Sequence, residues 1–280
     1  MHSLRYNSSR AKHRQQGLSL LELMVGITIG LLTIAVALGA LMATRGISGT
    51  VSEASQMQQQ AAYAFRVIGM QLRQAGSVEL NLAYGRSRTD QATNLPQPME
   101  PVVFEANVDR ASKTLAGVDS PGSGEFKLST GYMNYQELNY GSDTAASFFR
   151  NCLGEGASDT LITSRFALRS GELVCNGGGT NTQPLISNVS DFRVTYLVQD
   201  NTGSNAASPS MSFKTATEVG DANWSKVFGV QVCLELTGTE KIDTVGSKYT
   251  NCAGTATDRG NKLRMVFRNT YQIRSQGKPA

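Results

Sequence analysis

From Leu18 to Ala43 the chain reads LSLLELMVGITIGLLTIAVALGALMA, apolar apart from small hydroxyl residues and a single charge, Glu22. A run of this length spans the ~30 Å hydrocarbon core of a bilayer as one helix. Basic residues precede it, which keeps the N-terminus cytoplasmic and sends the C-terminal bulk to the periplasm or beyond. The expected location is therefore the inner membrane, as a single-pass protein with an exported C-terminal domain.

Charge follows the same division. The 280 residues carry 26 Lys and Arg against 22 Asp and Glu, a net +4 that at first suggests an acidic partner. Arg5, Arg10, Lys12 and Arg14 lie in the first seventeen residues, which hold no acid, so the remainder is balanced at 22 against 22. A neutral body behind a basic tip reads as a targeting leader, and no direct nucleic-acid binding is expected. Both histidines, His2 and His13, lie in that leader. Once it is removed no imidazole remains, which excludes His-based triads, Cys–His dyads and His-ligated zinc.

Three readings fit the apolar run. An ordinary secretory signal would use Ala35-Val36-Ala37 as a small-x-small cleavage site, but its core is about 7–15 residues long and this one is longer. A plain signal anchor fits the length. Neither explains Glu22, because a carboxylate in a spanning helix costs about 2.5–3.5 kcal/mol at the bilayer centre, and less nearer the end. The third reading comes from Gln16-Gly17-Leu18-Ser19-Leu20-Leu21-Glu22-Leu23-Met24-Val25, which resembles the class III signal of type IV pilins and pseudopilins.

That resemblance implies that a prepilin peptidase cuts between Gly17 and Leu18 and that the new amine of Leu18 is methylated. Glu22 then becomes the fifth mature residue, the family's characteristic acid. The first mature residue is usually Phe, and here it is Leu18. The physics agrees with this division of labour: a carboxylate in a low-dielectric bundle needs a cation, and a neighbouring subunit's Leu18 amine would supply one. Gly26 and Gly30, one turn apart, form a small-xxx-small pair that permits close helix approach, although glycine is also common in membrane helices. Many pilins carry a helix-breaking proline where this chain has Gly39, which would allow local melting in the filament but is a weaker signal than a proline.

Beyond the membrane segment, Ile47, Val51, Ala54, Ala61, Phe65, Ile68, Leu72 and Ala75 recur at steps of three and four, with Gln58 filling the missing step. This pattern predicts an amphipathic continuation of the helix whose stripe packs on a globular domain, with Gly76 as the C-terminal cap. Residues 77 to about 124, with Pro96, Pro98, Pro101 and Pro121, read as an irregular connection with at most short elements. It resembles the variable region between helix and sheet in pilins, often a partner-contacting surface; a plain surface loop fits equally well. Strand-like runs follow at 160–166, 192–198, 227–236, 263–267 and 270–273. Alternation, intervening turn residues and no second long helix predict an antiparallel sheet, hence an α+β fold. The expected organisation is a basic leader (1–17), a transmembrane helix (18–44), its amphipathic continuation (45–76) and a globular domain (77–280).

Cys152, Cys175, Cys233 and Cys252 all lie in the exported portion. An even count in an oxidising compartment suggests two disulfides with three possible connectivities. Sequence proximity favours Cys152–Cys175 and Cys233–Cys252, each closing a loop of about twenty residues and contributing roughly 3 kcal/mol. No Cys-x-x-Cys, nucleophile-elbow or phosphate-loop motif is present, so no metal, cofactor or enzymatic activity is expected. Gly177-Gly178-Gly179 reads as a flexible turn. Asp200-Asn201-Thr202-Gly203-Ser204-Asn205 lacks the closing glutamate of a calcium loop and also reads as a turn. Trp224 reads as a core residue.

The helix ending Gln71-Leu72-Arg73-Gln74-Ala75-Gly76, a domain near 200 residues and the sequence Arg264-Met265-Val266-Phe267-Arg268-Asn269-Thr270 together resemble the PilW-type minor pilin. The resemblance implies the pilin fold, a long N-terminal helix on an antiparallel sheet. It also implies a low-copy subunit that joins other minor pilins and the major pilin. Prepilin peptidase, the inner-membrane assembly platform and a tip adhesin are the further implied partners, with twitching motility and adhesion as properties of the filament. A minor pseudopilin of a type II secretion system shares the signal, helix and size. A membrane-anchored periplasmic enzyme or binding module is the remote alternative.

Overall fold

The computed structural model describes residues 17, 19–81, 103–105, 110–138, 145–157, 160–200, 210–242 and 246–274. Residues 1–16 of the leader, Leu18, Pro96, Pro98, Pro101 and Asn201 to Asn205 lie outside them. The chain divides into two compact units, Met1–Gly49 and Thr50–Ala280. The division falls inside helix α1, Leu20–Gln74, rather than at the expected borders after 44 and after 76. Its reason is burial: from Glu53 onward the helix contributes side chains to a core shared with the strands.

The helix starts where Ser19 caps it, its Oγ accepting the Glu22 amide at 3.2 Å. It stops at Gly76, which adopts φ +74, and the Gly76 amide donates to the Gly131 carbonyl at 3.0 Å instead of continuing the helix. The left-handed backbone at Gly76 is the glycine cap expected from sequence.

The expected stripe holds from Ala61 to Ala75, where Ala61, Ile68, Leu72 and Ala75 are buried and Phe65 packs on the core, but it fails at its N-terminal end. Met57, Ala61, Ala64, Val67, Ile68, Leu72 and Ala75 are buried, whereas Val51 is 64% exposed and Gln58 is exposed. Glu53 takes the position the apolar pattern assigned to its neighbours. Its carboxylate accepts the Glu240 amide at 3.1 Å, the Thr239 hydroxyl at 3.0 Å and the Thr239 amide, all from one irregular stretch of strand. At this end of the helix polar recognition, not apolar spacing, sets the buried position.

Strands follow in the order β1 (Glu79–Asn81), β2 (Val103–Glu105), β3 (Leu115–Ala116), β4 (Leu128–Met133), β5 (Gln136–Leu138), β6 (Ala145–Ser147), β7 (Leu161–Arg169), β8 (Glu172–Asn176) and β9 (Thr182–Ile186). They continue with β10 (Val189–Asp200), β11 (Ser210–Lys214), β12 (Val227–Lys241), β13 (Lys248–Thr250), β14 (Ala256–Asp258) and β15 (Lys262–Gln272). Helix α2 is Arg110–Lys113, and α3, Ala216–Val219, runs into a 3-10 turn at Asp221–Lys226. Instead of one sheet, the described residues form two main ones, ordered β3-β4-β7-β8-β9 and β11-β10-β12-β15, with three two-stranded pairs besides. All pairings are antiparallel. The two runs expected at 263–267 and 270–273 form one strand, β15.

One core joins these parts. Phe192, Val194, Tyr196 and Val198 of β10 and Val230, Val232, Leu234 and Leu236 of β12 point into it, each set alternating with period two. Ile68 and Leu72 of the helix and Phe166, Leu173 and Cys175 of the five-stranded sheet meet them. Fully burying such side chains is worth about 1.5–3 kcal/mol each. Trp224 belongs to the core, its ring edge-on to Tyr196 with centroids 4.9 Å apart.

Candidate functional site

The first unit contains a surface that nothing among the described residues covers. Leu20–Met42, 23 residues with mean hydropathy 2.3, has none of its apolar window buried. At 1.5 Å per residue it reaches about 35 Å, enough for the hydrocarbon core. Its hydroxyls are already satisfied: Thr28 donates to the Val25 carbonyl at 2.9 Å, and Thr33 to that of Gly30 at 2.8 Å. Such back-bonding removes the cost of placing a hydroxyl in an apolar medium.

Glu22 sits in the first turn, exposed, and among the described residues its carboxylate has no partner. At about 100° per residue, Glu22, Gly26, Gly30, Thr33, Ala37 and Ala40 fall on one face, within an arc of about 80°. Gly39 stands about 180° from Gly30 and so does not share the face of Gly26 and Gly30. A Cβ added at Gly26, Gly30 or Gly39 would meet no atom of the described residues within 4 Å. No contact among the described residues therefore requires these glycines. Gly39 is helical like its neighbours. Gly17 is exposed just ahead of the cap, and Leu18 lies outside the described residues.

In the second unit the cysteines pair as Cys152–Cys175 and Cys233–Cys252. Each joins a strand to a loop of the same design, a repetition the expected organisation did not include. In Asn151-Cys152-Leu153-Gly154-Glu155 the Asn Oδ1 accepts the amides of Leu153 at 2.9 Å and Glu155 at 3.0 Å. In Asn251-Cys252-Ala253-Gly254-Thr255 it accepts those of Ala253 at 3.0 Å and Thr255 at 2.9 Å. Gly154 and Gly254 have φ +77 and +81. The sequence signal was present, Asn-Cys-x-Gly occurring twice.

The buried polar groups of this unit hold its elements together. Gln71 Oε1 accepts the Ser164 hydroxyl at 2.9 Å and lies 2.9 Å from the Tyr132 hydroxyl, which also reaches the Arg150 carbonyl at 2.7 Å. Burial pushes the Tyr132 and Tyr196 hydroxyls well above the usual phenol range, so both stay protonated donors. Glu235 accepts from Tyr249 at 2.5 Å and Ser190 at 3.0 Å, and pairs with Arg264 at 3.2 Å. Burial, then the Glu235 carboxylate, raises the Tyr249 pKa. These contacts lie under the β13–β14 hairpin, which explains why the outward side of β12 is buried at Cys233 and Glu235. Among the described residues no three His, Cys, Asp or Glu side chains gather to hold a metal ion.

Residues 12–43 match the prokaryotic N-terminal methylation motif, which takes in Gly17, Leu18, Glu22 and the uncovered helix. Residues 153–275 match the family model described as Type IV Pilus-assembly protein W, or PilW, which spans β7 to the end of β15. Together the two matches support a type IV pilin-like protein of the PilW type. A solved type IV-like pilin from Thermus thermophilus is similar at 13% identity and a TM-score of 0.38, with 79% of this chain and 98% of that chain covered. No curated protein matches the chain. The methylation motif and the apolar helix support a membrane-anchored pilin. The PilW region contains three of the four disulfide cysteines, with Cys152 lying just before it.

Proposed function

We propose that this PilW-type protein is a minor pilin that primes type IV pilus assembly in the inner membrane and is carried at or near the pilus tip. Prepilin peptidase removes residues 1–17, Leu18 is methylated, and the domain beyond the helix faces the periplasm until the filament leaves the cell. Other minor pilins, the major pilin and the assembly platform are its partners, and twitching motility, adhesion and the display of a tip adhesin follow from the filament. The protein acts by assembly rather than catalysis and carries no cofactor.

The observation that supports this reading is one helix that combines the methylation motif, a wholly uncovered apolar surface and a single acid without a partner among the described residues. A lone carboxylate entering an apolar bundle drives registry, because each added subunit's amine relieves a charge that would otherwise be stranded. The PilW match favours the pilus over a secretion pseudopilus.

The test is Glu22→Ala in the full chain. Membrane insertion should persist while recovery in sheared pilus fractions falls at least tenfold. N-terminal sequencing of the mature protein should return methylated Leu18. A start at Leu38, or normal incorporation of the variant, would defeat the proposal.

A further inference from the structure

A second surface lies wholly within the globular unit and does not depend on the pilus reading. A cleft of about 780 Å³ runs between the exposed side of α1 and the loop before β7, with β9 along one wall. Tyr63, Arg66 and Met70 line it from the helix, Phe148 and Arg150 from the loop, and Leu185 from β9. A shallower extension continues past Tyr63 and Leu185 toward Glu172.

Three features of the cleft point to a ligand. The first is exposed apolar surface in a concave place: Phe148 is 65% exposed, Tyr63 49% and Met70 45%. The second is unspent charge. The Arg66 and Arg150 guanidiniums have no acidic partner among the described residues, where the one ion pair is Arg264–Glu235. The third is a rigid wall. The Arg150 carbonyl accepts from Tyr132 at 2.7 Å and from Gln71 Nε2 at 3.3 Å, and the adjoining Cys152 is tied to β8. The Phe148 amide donates to the Tyr135 carbonyl at 2.8 Å, and its ring is edge-on to Phe149 and Tyr135 with centroids 5.7 and 6.4 Å away. An exposed aromatic already held in place loses little entropy on binding, which is how interface hot spots are built.

β9 is the outer strand of its sheet, but Pro184 removes a donor from that edge. The edge is thereby guarded against strand addition, and recognition falls to side chains. We infer that this cleft docks a segment of another protein that carries carboxylates between apolar residues. The apolar groups would seat against Phe148, Met70 and Tyr63, and the acids would meet Arg66 and Arg150. Planar guanidiniums suit that task through bidentate pairing.

The experiment selects 12-residue peptides from a displayed random library on the full-length protein in detergent micelles. Enriched peptides should be acidic and apolar, and the Arg66→Glu plus Arg150→Glu variant should bind them at least tenfold more weakly. No enrichment, no charge preference or equal binding to the variant would overturn the inference. Sedimentation of the same samples tests the other occupant: self-association lost in the variant would assign the cleft to a second copy and overturn the acidic partner. If the double variant does not fold, Phe148→Ser replaces it. Undiminished binding of the selected peptides by Phe148→Ser would likewise overturn the inference.

Discussion

The Tyr271 hydroxyl donates to the Phe65 carbonyl at 2.7 Å, while its ring lies against Gly69 one turn further along the helix. The last strand of the domain is thus anchored to the helix by one residue that needs a glycine beneath it. A Cβ at position 69 would collide with the ring. Alanine is the better helix former by about 1 kcal/mol, yet Gly69→Ala should destabilise the protein. The ring cannot shift without losing its hydrogen bond to the helix, and overpacking of this kind costs about 1–3 kcal/mol. Thermal unfolding should show a lower Tm for Gly69→Ala, and Gly69→Ala with Tyr271→Leu should recover part of the loss. A Tm at or above that of the parent would refute the anchoring.

Gln71 makes a second tie between the same helix and the strands. Replacing it with Ala takes away the acceptor of the Ser164 hydroxyl proton, whose oxygen keeps the Cys152 amide, and leaves Tyr132 with the Arg150 carbonyl alone. Losing a buried partner costs about 1–3 kcal/mol, so Gln71→Ala should lower the urea midpoint. Its m-value should stay the same, because the fold is retained. An unchanged midpoint would show that water replaces the amide at no cost.

Legibility of the fold followed chemistry that repeats. β10 was readable because Val194, Tyr196 and Val198 alternate with Arg193, Thr195 and Leu197, and only the first set is fully buried. β4 was not, because Tyr132 and Met133 are both buried and Gly131 sits tightly against the Lys113 carbonyl, so no period survives. β15 read as two strands because Arg268 and Asn269 look like a break, yet both pair with β12. The helix stripe was legible from Ala61 to Ala75 but not at its N-terminal end, for a different reason. Val51 and Ala54 supplied apolar spacing, but Glu53 makes the tertiary contacts, and periodicity is blind to a buried acid. At the candidate site, Glu22 was legible as a lone charge in an apolar run. The separation of Gly39 from the face of Gly26 and Gly30 needed helix geometry.

The twin Asn-Cys-x-Gly loops provide a controlled comparison. Asn151 is buried, and its Nδ2 also donates to the Gly177 carbonyl at 3.2 Å, across the turn from β8 to β9. Asn251 is only partly buried, and its Nδ2 reaches Thr257 at 3.1 Å within the neighbouring hairpin. Asn151→Ala should therefore cost more than Asn251→Ala, about 2 kcal/mol against about 1 kcal/mol. Chemical denaturation of the two single variants with disulfides intact decides the order. Equal losses would mean that the contact with Gly177 adds nothing.

Acid should weaken the domain through two depressed carboxylates. Burial alone would raise the Glu53 pKa, but the Glu240 and Thr239 amides and the Thr239 hydroxyl outweigh it, aided by Lys262, and hold it below the ordinary 4.5. Asp119 behaves alike: burial opposes, and the Thr217 hydroxyl, the amides of Thr217 and Ala216 and the Thr215 hydroxyl prevail, below the ordinary 3.8. A carboxylate with a lower pKa in the folded state stabilises at neutral pH, and that contribution is lost as pH falls through the folded value. Unfolding free energy should thus begin to drop below about pH 4.5 and keep dropping through the lower folded values. Glu53→Gln removes one of the two contributions, so it should be less stable than the parent at pH 7 and converge toward it in acid. Urea titrations of both proteins from pH 7 to pH 3 measure the gap. A gap that stays constant across that range would show that the ionised carboxylate contributes no more than a neutral amide at the same place.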